Sequence, residues 1–255
     1  MNPVLSLSQI SYKYHTLQGE TEALTEISFT VNQGEFLAVV GPSGCGKSTL
    51  LHLIAGLLSP SSGTIFMNEM PLSKSKTRIG YMLQKDHLLE HRTIYKNILL
   101  GLEIQKKITA PHLFAVETML KEYGLSDFRN AYPRQLSGGM RQRAALIRTL
   151  ALSPDLLLLD EPFSALDYQT RLKVSNDIGG IIKKQHITAI LVTHDLSEAV
   201  SMADRILILS KRPGTIKKIV PIHFAKTPAS PEEARSMPEF TDYFNLIWKE
   251  VKHEA

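Results

Sequence analysis

Three short stretches hold residues whose types and spacing could do chemistry. The first is Gly41, Pro42, Ser43, Gly44, Cys45, Gly46, Lys47, Ser48 and Thr49, which fits the pattern Gly-x-x-x-x-Gly-Lys-Ser/Thr. Glycines there let the main chain take up positive φ and come close to a ligand. Successive N–H groups then converge on an anion, and a following helix adds its positive dipole end. Lys47 is suited to reach the β- and γ-phosphates of a nucleotide, and the Ser48 hydroxyl to ligate Mg²⁺. The second stretch is Asp160 with Glu161, directly after the apolar run 156–159. Asp160 is suited to hold Mg²⁺ directly or through water, and Glu161 to polarise a water for in-line attack on a γ-phosphate. The third is Leu136, Ser137, Gly138, Gly139 and Met140. Ser137 suits a helix N-cap, and the two glycines after it leave backbone N–H groups free to meet an anion. Alone, this third stretch reads as an ordinary capped helix.

The elements that must position these residues follow from hydrophobic patterning. Phe36–Val40 is an uninterrupted apolar run and reads as a buried strand leading into the glycine-rich loop. Residues 49–55 read as the buried helix that follows it. Residues 4–12 and 27–31 alternate apolar with polar and read as half-buried strands; 64–67 is another short strand. Residues 78–83 form a further strand that ends at Gln84. From 93 to about 152 the spacing turns helical, with Ile94, Ile98 and Leu102, then Leu113, Val116, Leu120 and Tyr123, punctuated by Pro111 and Gly124. Runs 156–159, 187–192 and 206–209 read as strands covered on both faces. Between the first two of these lies a helix over 168–184. Strands that alternate with helices predict a parallel, doubly wound sheet. Residues 211–215 read as a hairpin-like turn. The chain ends in a helix over 238–252 with Phe240, Phe244, Ile247 and Val251 on one face, expected to pack back on the core.

Composition sets the remaining bounds. The chain has 255 residues, 43% hydrophobic and 21% charged, ordinary for a globular protein with room for one large domain and a subdomain. It has no apolar run of about 18 residues, so no bilayer span is expected. Residues 1–5 carry neither a basic nor an apolar leader pattern. Cys45 is the sole cysteine, which excludes an internal disulfide and a cysteine-based zinc site and agrees with a reducing compartment. A net charge of +4 is mild. It suits proximity to anionic lipid or polyphosphate as well as it suits an uninformative surface.

The order and spacing of Gly41 to Thr49, Gln84, Leu136 to Met140, residues 156–161, Ser164-Ala165-Leu166-Asp167 and His194 resemble an ABC-transporter nucleotide-binding subunit. The resemblance covers roughly residues 5–209. It implies an α/β P-loop ATPase core with a mostly parallel sheet, an antiparallel β subdomain and an inserted α-helical subdomain at about 85–155. The ATPase domain would occupy 1–220, with a C-terminal helical extension over 221–255 packed on it. It implies ATP and Mg²⁺ as ligands, with Ser48, Gln84 and Asp160 at the metal. Glu161, His194 and Gln84 would be catalytic, with His194 contacting the γ-phosphate, and Tyr14 would stack on adenine. Leu136 to Met140 would contact the ATP held by a second copy in a head-to-tail dimer, with Asp167 at the dimer interface. The partners implied are that second copy, a separate membrane permease and a solute-binding protein, with no nucleic acid. The location implied is the cytoplasmic face of the membrane.

Residues 132–143, 162–167 and Arg212-Pro213-Gly214 look like the nitrate/sulfonate/taurine importer group. One departure stands out. After the glutamine that Gln84 resembles, the Q-loop position, that group usually carries a Pro-Trp pair, whereas here Leu89 is followed by Glu90, His91 and Arg92. That segment would face the membrane partner, so the departure bears on partner and solute. The rival readings are a soluble ABC-type ATPase acting on nucleic acid or the ribosome, and a transporter for another solute. Soluble enzymes of that kind usually carry two cassettes, long heptad repeats or zinc modules, and this chain has one cassette, no sustained heptads and one cysteine.

Overall fold

The computed structural model describes residues 3–17 and 19–252. In chain order the elements are β1 (Leu5–Thr16), β2 (Gly19–Val31), β3 (Phe36–Val40), α1 (Lys47–Ile54), β4 (Ser62–Met67) and β5 (Met70–Pro71), then β6 (Ile79–Met82), α2 (Ile94–Ile104), α3 (Ala110–Glu122), α4 (Gly138–Leu150), β7 (Leu156–Asp160) and α5 (Tyr168–Lys184). They continue through β8 (Ala189–Val192), α6 (Leu196–Met202), β9 (Arg205–Leu209), β10 (Ile216–Pro221), α7 (Pro231–Arg235) and α8 (Pro238–Lys252). Two compact units emerge, one from Met1–Thr77 with Gly179–Ala255, the other from Arg78–Ile178.

The first unit holds two sheet regions. In one, β1 pairs antiparallel with both β2 and β4, and β4 with β5. In the other, β3 lies between β8 and β9 and runs parallel to both, while β10 closes the edge antiparallel to β9. Every residue of β3 and β8 is buried. That is why both read as unbroken apolar runs: a strand covered on both faces has no polar side, and each such Val or Leu contributes roughly 1.5–3 kcal/mol on burial. Helix α6 packs on β3, and α8 packs on α6 and β9.

The second unit pairs β6 with β7 in parallel, in register Ile79 to Leu156 through Met82 to Leu159. Helices α2, α3 and α4 lie between these strands in the chain, and α4 packs on α2, α3 and β6. Gly80 lets this happen, because a Cβ there would lie 2.7 Å from the Thr149 methyl of α4.

The α/β class, the antiparallel sheet and the helical insertion are as expected. Several edges differ. β1 and β2 are much longer than the alternating segments suggested, because register shifts between Leu7 and Lys13, with Gln9 and Glu26 at positive φ, break the two-residue period. β10 escaped notice because it is an edge strand with exposed Lys217 and Lys218. α6 and α7 are only 7 and 5 residues long, too short for a helical period to declare itself.

Candidate functional site

In the first unit, the 41–49 loop joins the end of β3 to α1. Gly44 and Gly46 sit at φ 75° and 103°, in the left-handed region. Gly46 is also the residue before α1, and a Cβ on it would lie 2.7 Å from Leu24 Cδ2 and 3.0 Å from Ala23 O. The loop thus uses glycine for both conformation and close approach. Lys47 is buried at 8% exposure, and its Nζ donates to Gly41 O at 2.8 Å and Pro42 O at 3.0 Å. Burying an ammonium is costly without such acceptors, so these two carbonyls hold the amine inside the loop it belongs to. Ser48 is exposed at the first turn of α1. Thr49 is buried, and its Oγ1 is 3.0 Å from the Tyr14 hydroxyl. That contact fixes the exposed Tyr14 ring beside the start of α1.

Cys45 turns its side chain into the protein. It is 1% exposed, and burial pushes its thiol above the ordinary range. Only its main chain can face a ligand, and its N–H closes a turn onto Pro42 O at 3.3 Å.

His194 is exposed just past β8. A short polar frame that the sequence reading missed fixes its backbone. The buried Thr193 hydroxyl donates to Glu198 Oε2 at 2.7 Å and accepts from Asp195 N at 3.0 Å. Asp195 Oδ1 caps α6 by accepting from Ser197 N at 2.8 Å and Glu198 N at 3.3 Å. The signal was present as an Asp three residues ahead of a Glu, the mark of a helix start.

In the second unit, Gln84, Asp160 and Glu161 come together at the ends of β6 and β7. Gln84 Nε2 donates to Glu161 Oε2 at 3.4 Å and to Ser164 Oγ at 3.0 Å, while Ser164 Oγ donates to Glu161 O at 3.0 Å. Asp160 is 8% exposed and its Oδ2 accepts from the Tyr81 hydroxyl at 3.2 Å. Burial and the neighbouring Asp160 charge push the Tyr81 phenol upward, so it remains a donor. Glu161 sits at φ 45°, a left-handed conformation that costs a non-glycine residue energy and that clusters at functional sites. The bend at Glu161 turns the chain out of β7 immediately after Asp160.

Ser137 is exposed, and its Oγ accepts from Met140 N at 3.3 Å to cap α4. Leu136 is buried. A Cβ on Gly138 would lie 2.9 Å from Leu166 Cδ2, and one on Gly139 would lie 2.8 Å from a Val174 methyl. The glycines therefore let the start of α4 settle onto the start of α5. Asp167 Oδ1 accepts from Thr170 N at 3.1 Å, which caps α5 and holds the Asp167 carboxyl below its usual range.

Residues 85–93, after Gln84, are held by side chains. Arg148 donates to Asp86 O at 2.6 Å and His87 O at 2.7 Å. Asn97 is fully buried; its Oδ1 accepts from Leu89 N at 2.7 Å and its Nδ2 donates to the carbonyls of Leu89, Arg92 and Thr93. Asn97 was legible as a polar residue on the apolar stripe of Ile94 and Ile98, a position that demands partners.

A family model described as ABC transporter matches residues 24–164. An uncharacterized ABC transporter ATP-binding protein of Bacillus subtilis, YtlC, is 45% identical over 97% of this chain and 95% of its own. The chain belongs to the ABC transporter family. It is the ATP-binding subunit, an ATPase that energises transport. The sulfate/thiosulfate import ATP-binding protein CysA of Mycobacterium bovis is 43% identical over 79% of this chain and 58% of its own. A solved dimeric structure of the ATP-binding cassette MJ0796, in a post-hydrolysis state with ADP and Pi, superposes with TM-score 0.73 at 27% identity, covering 86% of this chain and 99% of that one. Among the described residues of this ABC subunit, no helix is long and apolar enough to cross a membrane. Nor, among them, could any cluster of three or more His, Cys, Asp or Glu side chains hold a metal alone.

Proposed function

We propose that two copies of this subunit bind two ATP molecules head to tail, hydrolyse them with Glu161 as general base, and drive a separate permease that imports a nitrate-, sulfonate- or taurine-like solute. In this reading the ATPase domain spans 1–220, with its helical subdomain at about 85–155, and 221–255 is an extension packed on it. The N–H groups of residues 41–49 and the Lys47 amine bind the phosphates, and Tyr14 stacks on adenine. Ser48, Gln84 and Asp160 would hold Mg²⁺, which neutralises charge on the phosphates. Glu161 orients and deprotonates the attacking water, and His194 contacts the γ-phosphate. Leu136 to Met140 cap the nucleotide of the partner copy through Ser137 and the N–H groups that start α4, with Asp167 at the dimer interface. ATP then acts as a link whose γ-phosphate contacts are lost on hydrolysis, so the closed dimer loosens.

The observation that carries this reading is the pairing of Gln84 with Glu161 beside the buried Asp160, a base and a metal-binding acid on consecutive residues. The exposure of Ser137 supports the two-copy arrangement, since a buried turn could not reach a partner's nucleotide. The dimeric MJ0796 cassette supports it too. For the solute, support comes from CysA, a sulfate/thiosulfate import protein, together with residues 132–143, 162–167 and 212–214. The location that follows is the cytoplasmic face of the membrane, against the permease. The experiment is to purify the subunit with its membrane partner, reconstitute the complex with a solute-binding protein, and measure which solute stimulates hydrolysis. Stimulation by a sulfonate or nitrate supports the assignment. Stimulation by DNA or ribosomes, with no permease recovered, overturns it.

A further inference from the structure

We propose that the turn between β9 and β10 is a positioning element for the phosphate loop, acting through Gly214; this rests on the reading that residues 41–49 bind ATP. Gly214 N donates to Ala23 O at 2.9 Å, and Thr25 N donates to Gly214 O at 3.0 Å. The turn is thereby stitched to β2 on both sides of Leu24. Leu24, 1% exposed, is the residue that Gly46 approaches from the loop. A Cβ on Gly214 would collide with the carbonyl oxygen of Cys45 and lie 3.1 Å from Leu24 Cδ2. A Cβ on Gly41 would lie 2.8 Å from Leu209 O, at the end of β9. The end of β9 and its turn therefore form a wall directly behind the loop.

Gly214 lies outside the left-handed region, where Gly44 and Gly46 sit. An ordinary residue could adopt its backbone conformation, so what excludes a side chain is the space occupied by Cys45 O. The wall is itself stiffened. Ser210 N donates to Thr215 O at 3.0 Å, and Thr215 N donates to Ser210 Oγ at 2.9 Å. A Cβ at 214 would have to push either this closed turn or the loop main chain, and the loop is the part whose N–H directions decide phosphate affinity. Hydrogen bonds weaken steeply with misdirection.

The test is Gly214→Ala, with Gly180→Ala as control, since a Cβ at 180 meets nothing within 4 Å. Mg²⁺-ATP binding by titration and the reactivity of Cys45, the sole thiol, with a disulfide reagent are measured on each folded protein. Gly214→Ala should bind ATP about tenfold more weakly, because small misplacements of a binding group are costly. It should also expose the Cys45 thiol to faster reaction, while Gly180→Ala matches the parent in both. If Gly214→Ala does not fold, Ser210→Ala carries the test. It keeps the glycine, removes the hydroxyl that closes the turn, and should weaken ATP binding and quicken the thiol reaction in the same direction. A folded variant with parental ATP affinity and parental thiol reactivity overturns the inference while leaving the ATP site intact. A parent protein that binds no ATP would instead sink the functional reading, and this inference with it.

Discussion

The 41–49 loop is shaped by main chain and by absent side chains, whereas residues 89–93 are shaped by side chains that reach in. In the loop, Gly44 and Gly46 supply the conformation, Gly41 and Gly46 supply close approach, and Lys47 is held by two carbonyls of the loop itself. In the other region, Asn97 ties Leu89, Arg92 and Thr93 together, and Arg92 pairs with Glu103 at 2.7 Å. The difference matches the tasks proposed for each. A triphosphate is read by N–H groups at fixed spacing, so the main chain must be rigid. A surface that meets one particular protein partner needs a shape that can be reset by a few side chains.

That contrast can be broken by substitutions, taken from the largest expected effect downward. Asn97→Ala removes four hydrogen bonds at a fully buried position and leaves backbone groups unpaired, at about 3 kcal/mol. Urea unfolding should show the loss, while Mg²⁺-ATP affinity of the folded protein stays parental; weakened ATP binding with unchanged stability would erase the distinction. Lys47→Ala should do the reverse. Losing a charged phosphate contact costs about 2 kcal/mol, roughly thirtyfold in ATP affinity, and the titration should show this with little change in melting.

Ser137→Ala removes the α4 cap, at about 1 kcal/mol of stability, and should lower ATP hydrolysis without lowering the affinity of a single copy for nucleotide. Equal loss of both would place Ser137 on its own subunit's ATP. The smallest effect concerns Cys45. Its buried thiol is held protonated above the ordinary range, and the thiolate is the reactive form. Alkylation of the folded protein should therefore be slow at pH 8 and rise only at higher pH than in urea-unfolded protein. Identical pH profiles would show that the thiol is not buried behind the loop.

How much was legible in the sequence follows the same division. The glycine-rich loop, the Asp160-Glu161 pair and the capped start of α4 each depend on local residue types, so their spacing marked them as candidates, while a role for Leu136 to Met140 came only from the resemblance. The buried strands β3, β7 and β8 were legible because being covered on both faces leaves no polar residue to interrupt the run. What could not be read depends on distant partners. Nothing local to Gly214 announces that Cys45 O occupies the space of its side chain, and nothing local to Arg148 announces the carbonyls of Asp86 and His87. Cys45 shows the same limit: its place in the motif says where its backbone goes, not which way the thiol points.

The most direct test of the two-copy account is the mass of Glu161→Gln in solution with Mg²⁺-ATP, measured by light scattering alongside hydrolysis. Replacing a general base typically costs about 10² to 10⁴ in rate, so ATP should remain bound. The 28.5 kDa chain should then run as a dimer with ATP and return to a monomer when ATP is removed. A monomer with ATP bound, or hydrolysis at the parental rate, would contradict it.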